Sequence, residues 1–270
     1  MKTTVQVLEP FLPLPEKLAS SFCGSINFMG KSRLGGIILE VKDIMHGDAI
    51  LKIGKSRCAE DLRDEAAWIR LLSGFLPVPD VLYFGEENEC AFLLLTKLPG
   101  VPGHLANSIY TIDDIIQRYA NNLYRIHKLK IERKSLPQAV NKIFSYAAKL
   151  VEKDKIDSHN LEKSTGMNPI QLLNYIEKNM DRAQGDVFTH GDYCLPNMML
   201  HEDKTFIIDW GQAALSNVNR DFMCVELSIS MNFGEKYIKR FYEYYKGDTP
   251  NPELIKFYWL CEQFEKYETE

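Results

Sequence analysis

The sequence predicts an α+β fold of two lobes, with an N-terminal antiparallel sheet plus one helix and a mostly helical C-terminal lobe. Short apolar runs separated by polar turns, as expected for strands, fill roughly the first 98 residues. The segment LPGVPGH then interrupts regular structure with its prolines and glycines. Beyond it, apolar residues recur at helical spacing. We therefore expect one lobe over 1–98, a hinge at 94–100 and a second lobe over 99–270.

In the first lobe, glycines and lysines are frequent in the segment FMGKSRLGGIILEVKD, which predicts a strand hairpin. The next strand is AILKI, where Lys52 interrupts the apolar run as an inward-facing lysine would. A helix follows over 60–72, because its apolar residues share one face that Glu65 borders. Prolines in FLPVPDV exclude helix, and the runs VLYFG and AFLLLTK predict two more strands around a polar turn.

The second lobe begins after LPGVPGH, a segment that we expect to contain no regular structure. Thr111 can cap a helix with Asp114 three positions later. The apolar stripe of this helix consists of Ile112, Ile115, Ile116, Tyr119, Leu123 and Ile126. The expected exceptions to helix are two strands that flank HEDK. This hairpin would bring Asn197 and Asp209 close together at one end.

Composition narrows the possible partners. The net charge of -5 argues against the basic surface that nucleic acids require. The six cysteines form no CxxC pair, so we expect reduced thiols rather than a zinc site or a disulfide framework. No apolar run approaches the ~20 residues that span a bilayer, and the N-terminus lacks a signal-peptide core. We expect a cytoplasmic protein that binds neither nucleic acid nor membrane.

Three polar side chains stand among apolar strand residues in VFTHGDYCLPNMML and FIIDWG, namely Asp192, Asn197 and Asp209. Magnesium on a nucleotide phosphate fits these oxygen ligands, since Mg2+ commonly binds one or two carboxylates plus substrate phosphates. The alternative is structural: Asp192 as a turn residue, Asn197 as a loop residue and His190 as a buried core histidine. We expect His190 to brace the turn rather than to act as a base.

Phosphoryl transfer requires positioning and charge neutralisation, and the sequence offers residues for each part. Lys52 on a strand, fixed by Glu65 on the next helix, would hold the α- and β-phosphates. Asn197 and Asp209 would hold magnesium, and Asp192 would face the acceptor hydroxyl. The alternative for Lys52 is an edge lysine that reaches water, and for Glu65 a helix-surface acid among other acids.

The motifs HGDYCLPN, FIIDWG and NRDF, the last containing Asp221, resemble the aminoglycoside phosphotransferases. These are bacterial antibiotic-resistance enzymes with a protein-kinase-like fold, and the similarity extends from ILKIGK to LIKFYWLCEQF. Carried over by position, the resemblance implies the roles given above and adds adenine-binding hinge residues at Thr96 and Leu98. It places the nucleotide loop in Gly30 to Gly36, with Gly35 and Gly36 as its binding glycines.

The acceptor side departs from this family's pattern. Gln212 stands where many relatives have arginine. The predicted helix ISMNFGEKY carries Met231 and Asn232 where 3'-phosphorylating members have acids. Glu262 and Glu162 are the candidate substrate acids that this chain retains.

The resemblance implies an ATP- and Mg2+-dependent kinase that phosphorylates an aminoglycoside hydroxyl, either 3'-type or streptomycin 3''-type, and confers antibiotic resistance. A second hypothesis keeps the kinase chemistry but changes the acceptor to choline, a methylthio sugar or a macrolide, since one fold hosts several functions. A third hypothesis is a nucleotide-binding regulator without catalysis.

Overall fold

The computed structural model describes residues 8–11, 13–20, 24–44, 47–131 and 136–269. The chain forms two compact units, Met1–Pro102 with Asn197–Gln212, and Gly103–Pro196 with Ala213–Glu270. The predicted α+β class is confirmed, with strands concentrated in the first unit and helices in the second. The lobe boundary between residues 98 and 99 stays a prediction. The compact units differ from the predicted lobes because 197–212 groups with the sheet.

A five-stranded antiparallel sheet forms the centre of the first unit. Its strands are β1 (Ile26–Lys31), β2 (Ile37–Ile44), β3 (Gly47–Lys55), β4 (Val81–Glu87) and β5 (Cys90–Thr96). They lie in the order β1-β2-β3-β5-β4, and every neighbouring pair is antiparallel. The predicted hairpin and the three following strands are therefore present, and β3 lies at the middle of the sheet.

The two faces of the sheet have different coverings. Leu51 and Ile53 on β3 are buried in a cluster that includes residues of the N-terminal segment, among them Leu18 of α1 (Glu16–Ala19). Lys52 lies between them in sequence and therefore points to the opposite face, since strand side chains alternate. That face meets α2 (Arg57–Leu72), which contacts β3, β4 and β5. The strand period thus directs one lysine toward the helix.

A smaller three-stranded sheet in the same unit contains β6 (Val101–Pro102), β8 (Met198–His201) and β9 (Lys204–Ile207). The predicted hairpin around HEDK is present as β8 and β9. The prediction that LPGVPGH contains no regular structure is wrong, because β6 pairs with β8 and a 3-10 helix follows at Gly103–Ser108. Proline is compatible with an edge strand such as β6, because one side of an edge strand has no neighbouring strand that would need its N–H.

Seven helices in the described part of the second unit build its core. They are α3 (Ile112–His127), α4 (Ala139–Glu152), α5 (Ser158–Thr165), α6 (Pro169–Ala183), α7 (Asn219–Asn232), α8 (Lys236–Tyr245) and α9 (Pro252–Lys266). The predicted cap of α3 is confirmed, since the Asp114 backbone N–H donates to Thr111 Oγ1 at 3.1 Å. Its predicted stripe is buried except for the half-buried Ile112. The helix predicted over ISMNFGEKY is wrong, because Gly234 adopts a φ of 94° between α7 and α8.

Two strands of the second unit were not predicted. β7 (Val187–Thr189) and β10 (Ala214–Ser216) form an antiparallel pair, so the expectation that only the HEDK hairpin interrupts the helices is wrong. Three residues are too few to show a strand period in sequence. β7 leads directly into the turn that contains Asp192.

Two further expectations concern the whole chain. Within the described ranges, no helix is long and apolar enough to cross a bilayer. Five cysteines fall in those ranges and all are free thiols, as expected, whereas Cys23 lies outside the described residues.

Candidate functional site

Lys52 lies at the centre of a buried charge cluster in the first unit. Its Nζ is 2.7 and 2.8 Å from the two Glu65 carboxylate oxygens and 3.0 Å from Asp209 Oδ1. The Glu65 side chain is 1% exposed, whereas that of Asp209 is 40% exposed. Glu65 therefore fixes the lysine from the buried side, and Asp209 lies on the solvent-exposed side of the cluster.

Helix α2 brings a second carboxylate to this cluster. Asp61 lies one turn before Glu65, a spacing that places both on one helix face. Its Oδ1 accepts a hydrogen bond from Gln212 Nε2 at 2.5 Å. A Cβ on Gly211 would overlap the same carboxylate, so glycine allows the close approach. Sequence analysis did not single out Asp61 among the acids near Glu65, although the four-residue spacing was a usable signal.

The pKa values in this cluster indicate an excess of negative charge. Burial, assisted by the charge of Asp209, raises the pKa of Asp61 to about 6. Burial also raises the pKa of Glu65 to about 7, against the effect of Lys52. Burial alone would lower the pKa of Lys52, but the charges of Asp209 and Glu65 raise it well above its usual value. Three carboxylates thus surround one protonated ammonium, and an added cation would relieve their repulsion.

Asn197 and Asp209 meet at the open end of the β8–β9 hairpin, as predicted. The Ile208 backbone N–H donates to the Asn197 carbonyl at 3.0 Å. Because Asp209 directly follows Ile208, this hydrogen bond brings Asp209 close to Asn197. Asp209 has a φ of 69°, a left-handed conformation that costs on the order of 1 kcal/mol outside glycine. The adjacent Trp210 is fully buried, and its Nε1–H donates to the Ile207 carbonyl at 3.0 Å. These contacts hold Asp209 in its strained conformation.

The donor set at this hairpin fits magnesium better than zinc. Within the described residues, no three His, Cys, Asp or Glu side chains form a group that could hold a metal by itself. An amide oxygen and a carboxylate oxygen suit Mg2+, which completes its shell with water and substrate phosphates. The half-exposed Asp209 carboxylate leaves room for such a ligand.

In the second unit, a buried carboxylate holds the turn that carries Asp192. The backbone N–H of His190 donates to Asp221 Oδ2 at 2.9 Å, and that of Gly191 donates to Oδ1 at 2.7 Å. The Asp192 N–H donates to His190 Nδ1 at 3.2 Å, in agreement with the bracing role expected for this histidine. Gly191 has a φ of 86°, and a Cβ there would overlap the Arg220 guanidinium. The half-buried Asp192 therefore projects from a rigid turn.

Asp221 is ionised in spite of its complete burial. Burial is the largest influence and favours the neutral carboxyl, but the hydrogen bond from His127, the charge of His190 and the Gly191 N–H lower its pKa. His127 Nε2 lies 2.9 Å from Asp221 Oδ2. Sequence analysis noted Asp221 only within the NRDF motif and did not find His127. An acid on a helix gives no sequence signal for partners 30 or more residues away.

The segment after Asp192 is held by a pair of tyrosines. Tyr193 and Tyr119 stack with ring centroids 4.6 Å apart and planes within 8°. The Tyr193 hydroxyl donates to the Tyr119 carbonyl at 2.8 Å, and the Tyr119 hydroxyl donates to the Tyr193 carbonyl at 2.5 Å. Two buried hydroxyls thereby satisfy two buried carbonyls. Both sides of Asp192 are consequently anchored in the core of the second unit.

The predicted nucleotide-loop glycines lie between β1 and β2. Gly35 has a φ of 77°, and its N–H donates to the Ser32 carbonyl at 3.0 Å. The Gly36 N–H donates to Ser32 Oγ at 3.0 Å, and a Cβ on Gly36 would overlap Cys58 Sγ. Both amides are therefore used within the turn. Their role toward a nucleotide stays a prediction.

The predicted hinge residues lie at the end of β5, where Thr96 is the last strand residue, and just after it, where Leu98 lies. The Thr96 N–H donates to the Asp80 carbonyl at 3.0 Å, and Thr96 Oγ1 accepts from the Asp80 N–H at 2.8 Å. Leu98 is half-buried in the following extended segment. Their adenine-binding role stays a prediction.

The two predicted substrate acids occupy different environments. Burial, the charge of Asp192 and the charge of Glu262 together raise the pKa of the Cys224 thiol well above its usual value. Because Cys224 also donates to the Gly191 carbonyl at 3.6 Å, Glu262 on α9 lies in the electrostatic neighbourhood of the Asp192 turn. Glu162 is exposed on α5.

Met231 and Asn232, where the resemblance implies acids, lie at the end of α7. Met231 is 84% exposed, and Asn232 Nδ2 donates to the Ser228 carbonyl at 2.8 Å. Neither side chain supplies the negative charge that an acid at these positions would supply.

Comparison with known proteins identifies the family. A model described as the phosphotransferase enzyme family matches residues 40–258. An aminoglycoside 3'-phosphotransferase of Niallia circulans is 27% identical over 242 residues, covering 89% of this chain and 92% of that protein. The fold matches that of a type VIII aminoglycoside-3'-phosphotransferase with a TM-score of 0.77 and 20% identity, over 92% of this chain and 96% of that one.

A second solved structure is a 3''-type aminoglycoside phosphotransferase of Streptomyces rimosus in complex with ADP and streptomycin. Its TM-score is 0.71 at 19% identity, over 96% of this chain and 98% of that one. At this level of identity the two solved structures show a shared fold, whereas the family model covers most of the chain. The chain therefore belongs to the phosphotransferase enzyme family.

Proposed function

We propose that this protein is an ATP- and Mg2+-dependent O-phosphotransferase that modifies a hydroxyl of an aminoglycoside antibiotic and so confers resistance. The observation that carries the proposal is the contact of Lys52 Nζ with both Glu65 and Asp209, with the Glu65 side chain 1% exposed and the Lys52 side chain 13% exposed. Membership in the phosphotransferase family and the 3'-phosphotransferase relative support the reaction type. Its need for ATP makes the cytoplasm the compartment where we propose that it acts.

Within this proposal, Lys52 binds nucleotide phosphate oxygens and Glu65 keeps its ammonium in place before they arrive. Asn197 and Asp209 would hold Mg2+, which when bound supplies positive charge that neutralises phosphate oxygens. The excess negative charge around Asp61, Glu65 and Asp209 supports a cation at this position. The Thr96 carbonyl and the Leu98 backbone would contact the base, and Gly35 and Gly36 would border the phosphates.

Asp192 is proposed to orient the acceptor hydroxyl and to accept its proton as the acceptor oxygen bonds to the γ-phosphorus of ATP, while the bond from that phosphorus to the β,γ-bridging oxygen breaks and ADP leaves. Such an aspartate must keep a fixed direction and must be within reach of the substrate. The turn supports both needs, because Asp221 and His190 bind the backbone N–H groups while Asp192 itself is only half-buried. Positioning of this kind supplies much of the rate in phosphoryl transfer.

The proposed acceptor is polycationic, and carboxylates of the helical unit would bind its ammonium groups through charge-assisted hydrogen bonds. Glu262 is the first candidate because of its influence around Cys224, and Glu162 is the second. The sequence relative favours the 3'-hydroxyl, while the streptomycin-bound fold neighbour keeps the 3''-hydroxyl of streptomycin as the other candidate.

The test is to incubate the purified protein with ATP, Mg2+ and each of kanamycin, neomycin and streptomycin, and to follow products by mass spectrometry. We expect one phosphoryl group on at least one drug. An Asp192→Asn variant, nearly identical in volume, is the matched control and should give little product. Absence of product with all three drugs, in the presence of measurable ATP binding, would refute the aminoglycoside acceptor.

One observation favours a second acceptor class. Met231 and Asn232 stand where the family resemblance implies acids that would bind the amines of the drug, and Met231 is largely exposed. A kinase for another alcohol, such as choline, a methylthio sugar or a macrolide, would not need those acids. Transfer to one of these alcohols without transfer to any aminoglycoside would establish this alternative. ATP turnover with any acceptor would exclude a purely regulatory nucleotide-binding protein.

A further inference from the structure

Tyr245, the last residue of α8, makes a buried contact that ties this helix to the turn of Asp192. Its side chain is 2% exposed, and its hydroxyl lies 2.6 Å from His127 Nδ1. The other ring nitrogen, His127 Nε2, lies 2.9 Å from Asp221 Oδ2. Asp221 in turn accepts the backbone N–H groups of His190 and Gly191. Three buried side chains thus form one chain of hydrogen bonds that ends beside Asp192.

The donors and acceptors along this chain can be assigned from chemistry. The ionised Asp221 carboxylate can only accept, so His127 Nε2 carries the proton that it donates. In a neutral imidazole the remaining Nδ1 is an acceptor, and the Tyr245 hydroxyl is the donor that faces it. Burial and nearby acidic groups raise the pKa of Tyr245, so this hydroxyl keeps its proton. Every link then has one donor and one acceptor.

Aromatic packing restricts Tyr245 to this position. Its ring meets Phe222 edge to face at a centroid distance of 5.0 Å, and Tyr124 at 5.8 Å. Phe241, one turn earlier on α8, stacks at 6.1 Å. The hydroxyl therefore cannot follow a displaced histidine without repacking these rings. Tyr245 therefore fixes the orientation of the His127 imidazole from the side of the ring opposite to Asp221.

We propose that Tyr245 is a positioning residue for phosphoryl transfer, acting through His127 and Asp221 to hold the backbone of the Asp192 turn. The catalytic consequence of this inference rests on the proposed function, whereas the chain of hydrogen bonds does not. Tyr245 does not touch the reacting groups. Its removal should loosen the turn and misdirect the Asp192 carboxylate, while Lys52, Asn197 and Asp209 in the first unit keep their own contacts.

The chain also offers a matched control. Tyr242, one turn before Tyr245 on the same helix, donates its hydroxyl to Glu226 Oε1 at 2.7 Å. Tyr242→Phe and Tyr245→Phe each remove one hydroxyl that hydrogen-bonds to a side chain on another helix. Only Tyr245→Phe breaks the path to Asp221. A difference between the two variants therefore reports that path and not the general loss of a tyrosine hydroxyl.

The first measurement is backbone hydrogen exchange of the full chain, followed by mass spectrometry of peptides that cover His190 and Gly191. Tyr245→Phe should speed exchange in these peptides about five- to tenfold relative to peptides from α9, and Tyr242→Phe should not. Equal acceleration of all peptides, or no acceleration at the turn, would overturn the proposal. The measurement needs no acceptor, so it decides the inference even if aminoglycosides are not substrates.

The second measurement is the ratio of phosphate transferred to the aminoglycoside over ATP hydrolysed to water. A smaller folded fraction lowers both rates equally and leaves this ratio unchanged. A misdirected Asp192 should lower the ratio about fivefold in Tyr245→Phe, with an unchanged KM for ATP. An unchanged ratio in a variant whose parent transfers phosphate would overturn the positioning role.

If Tyr245→Phe does not fold, the unaltered protein still provides a test. Nitrogen-15 NMR of labelled histidine side chains, with His127 assigned through a His127→Gln variant, should show Nε2 protonated and Nδ1 unprotonated. A protonated Nδ1 would overturn the proposed direction of the Tyr245 hydrogen bond and with it the proposal.

Discussion

In the unit with the five-stranded sheet, ion pairs with Glu65 and Asp209 hold Lys52, whereas in the helical unit hydrogen bonds from the backbone to Asp221 hold the Asp192 turn. The first arrangement leaves carboxylates in excess and raises the pKa values of Asp61 and Glu65. The second gives the one buried carboxylate enough donors to lower its pKa. The cluster around Lys52 therefore carries excess negative charge unless a cation binds. The turn of Asp192 needs no ligand to complete its hydrogen bonds.

This difference follows from what each region is proposed to do. Groups that bind charged phosphates and a metal gain from an electrostatic imbalance that the ligand relieves. A residue that orients a hydroxyl and accepts its proton gains from a rigid support that no ligand has to complete. Substitutions in the sheet unit should therefore act mainly through ligands, and substitutions around the turn through rate or stability.

The largest effect is expected for Asp192→Asn. Because Asp221 and His190 bind the turn backbone, the fold should be unchanged while turnover falls by about 10^2- to 10^4-fold. Turnover is measured with ATP and the best aminoglycoside, and ATP affinity by calorimetry. A variant that keeps normal turnover would remove Asp192 from the proposed mechanism.

Asp221→Ala should affect stability most. It leaves the backbone N–H groups of His190 and Gly191 and the side chain of His127 without their buried acceptor, at a cost of about 3–5 kcal/mol. Urea unfolding followed by circular dichroism measures this cost. Asp209→Ala provides the contrast, because removing one of the excess carboxylates should cost much less. Equal losses in the two variants would contradict the difference between the two regions.

Lys52→Ala should act through the nucleotide. The loss of a charge-assisted contact to phosphate is worth about 10- to 100-fold, so the KM for ATP should rise by that factor. Glu65 can take up a proton once its partner is gone, which limits the loss of stability. Steady-state kinetics over a range of ATP concentrations checks this expectation. An unchanged KM with reduced kcat would place Lys52 in the chemical step instead.

The smallest effect is a pH-dependent gain in stability for Asp61→Asn. The pKa of Asp61 is about 6 in the folded protein and 3.8 in its ordinary state, so the folded state binds more protons between these values. The contribution of Asp61 to the stability of the wild-type protein therefore falls as the pH rises from 3.8 to about 6. The neutral amide of the variant lacks this loss and can still accept from Gln212, so the variant should be more stable by about 1–3 kcal/mol at pH 7.

The same comparison of Tm at pH 4 should show most of that gain gone, because Asp61 is then largely protonated in the folded wild type. A gain that is equal at both pH values would mean that the charge of Asp61 is not its source.

Much of the sheet unit was predictable because its signals are local. Lys52 in an apolar strand and Glu65 beside a helix stripe lie 13 residues apart, and the strand and helix periods alone point them toward each other. The hairpin that joins Asn197 to Asp209 is equally local. The cap of α3 depends on Thr111 and Asp114 in one turn. Each of these predictions needed only neighbours in sequence.

The helical unit was less predictable because its site depends on distant contacts. The strands β7 and β10 contain three residues each and exist because they pair with one another. β6 exists because it pairs with β8, about 100 residues later, in spite of its proline. The bonds of Asp221 to His127 and to the turn cover 94, 31 and 30 residues of sequence. No local pattern encodes such partners.

Sequence alone determined the α+β class, and it was enough to predict Lys52, Asn197 and Asp209 as ligands of phosphate and metal and Asp192 as the acceptor-side aspartate, because those predictions rest on residue type and spacing. Tertiary structure decided which groups are charged and what supports them. Packing made Asp61 a member of the Lys52 cluster and linked Tyr245 to the turn of Asp192. Burial strengthens every electrostatic interaction and makes each unpaired polar group costly, and burial is a property of the folded chain only.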